Sequence, residues 1–435
     1  MKRRSMKAAV ALAGAMVSMA LVASGCSKGS DDSGDKPAVT EITFWSWLRA
    51  SQEVTDAFNK THTDVQVKFE QIPGGADGYG KLTNAVKADN APDVATVEYA
   101  MLPDMLAQGN LQDVSGDISE LVKSKYPAPI QELVTLGGKT WTVPLDAGAM
   151  VMFYRKDLFE QAKIAVPKTW DEFKAAAEKV KKANPKARIT DWNQTDSANF
   201  VSLNWQAGAK WFDIQGDSWK VSIDSPESQQ VAAYWQDLIA KDLVTNIPAE
   251  EVQKRKAAGE VWVQLGGAWA AGGLKAGLPD QAGKWASTAL PSWDAAAPAS
   301  AMVGGSSFGV SKTSKKKDAA IKFITWMTTT PEGIQARLAS GASSTLPAIP
   351  ELADVAAKNF DTKFFGGQDI YAVAKASEAI IRTGWRWGPG MRNVFDGLGE
   401  QFKQVNTGKA QLPAVYGPVQ AKTIEDLKGR GINAS

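Results

Sequence analysis

Hydrophobic positions in this chain fall into short alternating runs separated by stretches with helical spacing. Residues 41–45 are rich in β-formers, residues 53–60 carry apolar side chains at helical intervals, and Val65, Val67 and Phe69 alternate as a strand requires. After the break at Pro73-Gly74-Gly75, residues 81–87 predict a helix and residues 93–97 another short strand. The middle of the chain carries a second unit of this kind. Residues 139–144 and 149–154 predict strands joined at Leu145-Asp146-Ala147-Gly148, and Thr169 with Glu172 three residues on predicts a capping box that opens a helix. Residues 228–240 predict another amphipathic helix, 260–265 a β-rich run closed by Gly266-Gly267, 307–310 a strand and 318–327 a helix.

This alternation predicts an α/β fold with a mainly parallel sheet covered on both faces. A length of 435 residues is too great for one compact core and fits two domains. In such sheets a ligand lies beyond the carboxyl ends of the strands, which is where Trp45, Ser46 and Trp47, and separately Glu98 and Tyr99, are expected. No internal repeat is visible.

The amino terminus has a different pattern. Residues 1–7 are basic, 8–22 are apolar and uncharged, and Ala23-Ser24-Gly25 precede Cys26, so residues 1–25 read as a signal peptide. The apolar run is short for a membrane span. Val22 to Cys26 resembles a bacterial lipobox, although Ala23 stands where Leu is usual; the resemblance implies lipidation of Cys26 as the mature N-terminus. Arg3-Arg4 leaves the export route open between the general secretory and twin-arginine systems. Residues 26–39 are polar and aperiodic, as a flexible lipid-anchored tether would be.

Charge and composition narrow the chemistry. Lys and Arg number 49 against 47 acidic residues, and four of the basic ones lie in the first ten positions, so the remainder is nearly neutral. A nucleic-acid partner is therefore not expected. One His and one Cys cannot build a zinc site or a Cys-His nucleophilic pair, and no Asp-rich loop has calcium spacing; no metal or cofactor is expected. Sixteen Trp among 38 aromatics favour an aromatic-lined pocket, because indole combines a flat apolar face with a polar edge.

Trp141-Thr-Val-Pro-Leu-Asp146 through Phe159, Val166-Pro-Lys-Thr-Trp170-Asp-Glu-Phe173, Asn204-Trp205-Gln206, Gly266-Gly-Ala-Trp269, Gly304-Gly305-Ser306-Ser307 and Ala319 to Trp326 together resemble the extracellular solute-binding proteins of family 1. These are the maltose-binding-protein-like receptors of carbohydrate ABC importers, and the likeness runs from about residue 40 to the C-terminus. It implies a periplasmic-binding-protein-like type II fold, two α/β lobes joined by a three-crossing hinge. The crossings are expected near Asp146-Ala147, near Gly304 to Ser306, and between Lys363 and Gly367. The N-terminal lobe would then comprise 40–146 and 306–364, and the C-terminal lobe 147–305 and 365–435.

The implied function is capture of a sugar of two or more rings by a monomer anchored on the outer face of the membrane, and delivery to a permease. It is not that of an enzyme. A pyranose offers C–H groups on its face for an indole and hydroxyls at its rim for carboxylates, amides and Arg. Trp45, Trp47 and Glu98 are the candidates from the first lobe, with Asp146, Gly305 and Ser306 at the hinge. From the second lobe, Trp269 stands where the family carries a stacking Trp, Trp387 and Arg392 match its late aromatic and Arg, and Asp196 lines up with a family carboxylate. Trp45, Trp269 and Trp387 are expected to converge on one gap. Trp170, Trp235 and Trp326 have the spacing of core residues, and Trp205 and Trp211 fit either role. A secreted glycoside hydrolase, with Glu98 and Asp146 or Asp196 as its carboxylate pair, is one alternative. A receptor of the same fold for a polyamine, amino acid derivative or iron chelate is the other.

Overall fold

A computed structural model describes residues 38–192, 197–247 and 249–435. The signal peptide, Cys26, all but the end of the tether, and Asp196 lie outside the described residues. The first sheet grows from the amino-terminal alternation. Strands β1 (Thr40–Ser46) and β2 (Val65–Gln71) pair in parallel, with the helix Ser51–Thr61 between them, and β3 (Val94–Glu98) joins the other side of β1, also in parallel, after the helix Gly75–Lys87. A two-residue strand, β4 (Val143–Pro144), forms the far edge. The chain then enters a second sheet as β5 (Met150–Arg155), flanked by β6 (Val263–Gly267) and β7 (Trp285–Ala289). It returns as β8 (Ser306–Val310), which inserts between β3 and β4 and completes the order β2-β1-β3-β8-β4.

The first sheet is mainly parallel as expected, with β8 the antiparallel member. The second is not, because β6 and β7 both run antiparallel to β5. A parallel strand must be reached by a crossover that lays its helix back on the sheet. Here the long excursion from β5 to β6 carries the helices Trp170–Ala183, Ser197–Ala207 and Pro226–Ala240, which pack on one another, so alternation alone does not fix strand direction. The capping box also differs in one arm. Thr169 Oγ1 accepts from the Glu172 N–H at 3.2 Å, but Glu172 Oε2 accepts from the Lys168 N–H at 2.7 Å, one residue before the expected donor.

Strand β8 is buried throughout, and β3 is buried except at Glu98, as central strands covered on both faces should be. Phe44 on β1 lies within 5.6 Å of the rings of Phe69, Phe308 and Phe323 and is wholly buried. Trp170 and Trp235 are core residues, while Trp326 is half-buried over Phe58 and His62. Trp205 and Trp211 are buried too, each packed against Trp385.

Two passages between the sheets, at residues 145–150 and 301–306, run side by side. Leu145 N–H donates to the Ser306 carbonyl (2.8 Å), Val303 N–H to that of Gly148 (2.9 Å) and Met150 N–H to that of Ala301 (2.9 Å). The third passage is not at 363–367 but at 346–348. Ala147 N–H donates to the Leu346 carbonyl and Ala348 N–H to that of Leu145, both at 3.0 Å. Residues 363–367 lie instead against the second sheet, where Gly283 N–H donates to the Phe364 carbonyl and the Phe365 ring stands 5.8 Å from that of Phe153. Gly366 and Gly367, at φ +63 and +84, close the short 3₁₀ turn Thr362–Phe365, a C-cap role that reads in sequence like a hinge.

Gly305 is under a double constraint. Its φ is +94, and a Cβ there would lie 2.6 Å from the Tyr99 ring. We expect Gly305→Ala to lower unfolding free energy by about 2–4 kcal/mol in urea titration. Gly80→Ala, at a partly exposed helical site with open space around it, should instead stabilise by about 0.5–1 kcal/mol.

Candidate functional site

The carboxyl ends of β1, β3 and β4 and the start of β8 meet at one edge of the first sheet, and a cavity of about 570 Å³ opens there. Its first wall is Trp47, Leu48 and Arg49 beyond β1, Glu98 at the end of β3, Leu145 and Asp146 after β4, Gly304 and Gly305 before β8, and Ser306 at its start. The second wall holds Gln264 and Leu265 from β6, Trp269 at the start of the helix Ala270–Gly277, and Asp191, Gln253 and Lys256. Residues 342–345 of the third passage close one side.

Trp269 is one of three large hydrophobic residues left exposed among those described, at 43%. Its orientation follows from the glycine turn before it. A Cβ on Gly267 would fall 2.2 Å from Trp269 Nε1, so only glycine lets the indole fold back, and Nε1 then donates to the Val303 carbonyl at 3.1 Å. The Trp269 carbonyl accepts from Ser344 Oγ at 2.7 Å, which fixes the residue to the third passage as well. On the facing wall Trp47 stands edge-to-face with Tyr79, centroids 5.3 Å apart. Tyr79 O–H donates to Glu98 Oε2 (3.1 Å) and accepts from the Glu98 N–H (2.9 Å), so one phenol orients both the Trp and the carboxylate.

Asp146 is buried, and its Oδ1 accepts from the Ser306 N–H at 2.7 Å. Burial pushes its carboxyl up to about 6 against the opposing pull of that hydrogen bond and of the Arg337 charge. Burial raises Glu98 as well, with the Tyr79 hydrogen bond opposing and Asp146 adding to the rise. Arg337, fully buried, has its guanidinium pushed down to about 10 by desolvation, with Asp146 favouring the charge.

Of the residues singled out from sequence, Trp47, Glu98, Asp146, Trp269, Gly305 and Ser306 share this cavity. Trp45, Trp387 and Arg392 are not among its lining, so the expected convergence of Trp45, Trp269 and Trp387 does not occur. Strand parity explains Trp45. Strand β1 runs on to Ser46, so Trp45 is still inside it on the face opposite Phe44, where Lys81 Nζ lies 4.4 Å above its ring. Trp387 is buried beside Trp385 and Trp205, and Arg392 is on the surface with Asp396 Oδ2 3.8 Å from its Nε. Sequence reasoning missed Arg49, Asp191, Gln253, Lys256, Gln264 and Ser343 to Thr345. Lys256 sits in a Lys-Arg-Lys run that reads as a solvated helix end.

Over residues 45–334 the sequence matches bacterial extracellular solute-binding proteins. The chain belongs to that family. Among relatives of this solute-binding protein, the arabinooligosaccharide-binding protein of Bacillus subtilis (strain 168) is 27% identical over 336 residues, 73% of this chain and 75% of the relative. The lactose-binding protein of Rhizobium radiobacter is 29% identical over 307 residues, 65% of this chain and 69% of its own. Among solved structures, the galacto-N-biose-/lacto-N-biose I-binding protein of a Bifidobacterium longum ABC transporter, in complex with lacto-N-biose, superposes with a TM-score of 0.81 at 28% identity, covering 92% of this chain and 100% of that one. The ABC transporter associated binding protein of B. animalis subsp. lactis Bl-04, in complex with β-1,6-galactobiose, gives 0.80 at 28% identity with the same coverage. The fold is thus the two-lobed one of the maltose-binding-protein-like receptors, and the family is one of binding proteins, not of hydrolases. Family membership implies an extracytoplasmic location. No helix among the described residues is long and apolar enough to cross a membrane.

The shifted carboxylate gives a pH signature. An unfolded Asp146 ionises near 3.8 and the folded one near 6, so between these values the unfolded chain releases a proton that the folded chain keeps. Stability should therefore fall as pH rises from about 4 to about 6. Urea midpoints across that range should show less of this fall in Asp146→Asn, with Glu98 and Glu378, whose carboxyls burial also raises, contributing to what remains.

Proposed function

We propose that this chain captures an oligosaccharide between its two lobes and delivers it to the permease of an ABC importer, as a monomer held at the outer face of the membrane by lipid on Cys26. The lobes divide at Asp146, at Gly304 to Ser306 and at Leu346 to Ala348. One observation carries the reading: an exposed indole, Trp269, shares a single opening with the buried carboxylate of Asp146 and the half-buried one of Glu98. That is an apolar platform beside hydrogen-bond acceptors, complementary to the C–H face and hydroxyl rim of a pyranose. Trp47 supplies a second aromatic surface on the opposite wall, and the Gly305 and Ser306 backbone lies between the walls. What the relatives and structural neighbours bind, an arabinooligosaccharide, lactose, lacto-N-biose and β-1,6-galactobiose, agrees with that chemistry. A cavity of about 570 Å³ suits a ligand of two or more rings.

Calorimetric titration of the chain lacking residues 1–26 against these sugars should find saturable binding. Trp269→Ala should weaken it about ten- to a thousandfold, roughly 1.5–4 kcal/mol, and Gly267→Ala, whose methyl group takes the place of the indole edge, should do likewise. An unchanged dissociation constant removes Trp269 from the site. If sugar hydroxyls donate to the Asp146 carboxylate, affinity should rise with pH up to about 6 and level off above it.

A further inference from the structure

The second wall contains a polar cluster that the Trp and carboxylate pattern does not use. Lys256, at the end of the helix Ala249–Ala257, is only 7% exposed yet lines the cavity. Its Nζ donates to Gln264 Oε1 on β6 at 2.8 Å, and Asp191 Oδ1 lies 3.8 Å away, beyond hydrogen-bonding distance. An ammonium has three donors, and among the described residues one is used. One turn earlier on the helix, Gln253 Nε2 is buried without a hydrogen-bond partner among the described residues and also lines the cavity.

The position of Lys256 is built into the fold. Gln281 Nε2 donates to the carbonyls of Lys256 (2.8 Å) and Ala257 (3.1 Å), and Gln281 Oε1 is itself held by the Trp285 indole N–H at 2.7 Å. A buried ammonium held this far from a half-buried carboxylate makes a poor stabilising pair, because desolvation of the charges is repaid only by close, hydrogen-bonded geometry. A hydroxyl oxygen placed between the two groups repairs that geometry. It accepts from the ammonium and donates to the carboxylate, about 2.8 Å from each. An ether oxygen can only accept and a methylene can do neither.

Given the carbohydrate reading of the cleft, on which this rests, we propose that Lys256 and Asp191 are a specificity-determining pair that brackets one hydroxyl of the bound sugar. Gln264 is the positioning residue that holds the ammonium for it. The pair lines the cavity beside the second sheet, whereas Glu98 lies on the first, so the two sets of groups come from different sheets. A site that hydrogen-bonds a hydroxyl in both directions rejects the analogue lacking it more strongly than an apolar pocket rejects an extra group.

The test is calorimetric titration of wild type, Lys256→Met, Asp191→Asn and the double variant with lactose, β-1,6-galactobiose and an arabinooligosaccharide, followed by the monodeoxy derivatives of the sugar that binds best. Each single variant should lose tenfold or more in affinity, and the double variant little beyond the worse single one, because both groups serve one hydroxyl. One monodeoxy sugar should bind wild type as weakly as the parent sugar binds Lys256→Met, and that variant should not distinguish the two sugars. The melting temperature should fall in each single variant, which leaves the other charge without its counter-ion, and recover at least in part in the double variant; Asp191→Asn preserves size and tests the pair if Lys256→Met fails to fold. If wild type binds sugar and both variants bind it equally well, the pair is structural and the proposal is wrong. If wild type binds none of the sugars, the carbohydrate reading falls first and the pair's role with it.

Discussion

Everything in the cleft is referenced to a short ladder of backbone hydrogen bonds at Asp146. Its neighbours Leu145 and Ala147 bond to Ser306, Leu346 and Ala348, its own carbonyl accepts from the Tyr99 hydroxyl at 2.9 Å, and its carboxylate accepts from Ser306. One residue thus joins all three passages between the sheets. The backbone bonds satisfy peptide groups that are buried here and could not remain unpaired. The carboxylate is different, because burial opposes its charge and the Ser306 N–H and the Arg337 charge only partly offset that.

Both walls are tied to this ladder by single, directed contacts. The Trp269 indole is bonded to Val303, which pairs with Gly148, and the Trp269 carbonyl is bonded to Ser344, two residues before Leu346. On the other side Tyr79 holds Glu98 against the end of β3, and the Tyr99 N–H reaches the Gly305 carbonyl. A change of angle between the lobes must pass through the backbone of these segments. Gly304 and Gly305, at φ +68 and +94, are the positions least limited by side-chain sterics. Gly305 also lets the Tyr99 ring approach the segment, so backbone freedom and close packing come from one residue.

Much of this architecture could be read from the chain, and the limits of that reading are physical. Alternation and β-rich runs located strands because a pleated chain has a period of two, whereas the expected passages came from the family resemblance and not from the pattern. Alternation did not show that β6 and β7 run antiparallel to β5, since direction depends on how the intervening helices pack. Nor could it separate Trp45 from Trp47. Whether β1 ends at Trp45 or at Ser46 decides which indole clears the sheet edge, and that boundary is set by pairing with Gln71 on β2. Gly366-Gly367 misled for a related reason, since positive φ serves helix caps as well as hinges. The observed third passage, Thr345-Leu-Pro-Ala-Ile349, contains no glycine.

Lys256 exposes the deeper limit. In sequence it ends a basic run at a helix terminus, where solvated cations are favoured by the helix dipole, and nothing local marks it as buried. Its burial comes from Gln264 and Gln281, contributed by a strand and a turn further along the chain. A composition rich in Trp points to where a sugar's faces can rest but says little about which hydroxyls are read. Those are selected by charges whose cost of burial is tolerable only in a particular three-dimensional setting. Aromatic platforms are therefore the legible half of a site like this one, and the buried polar groups that discriminate between similar ligands are the half that only the assembled fold makes visible.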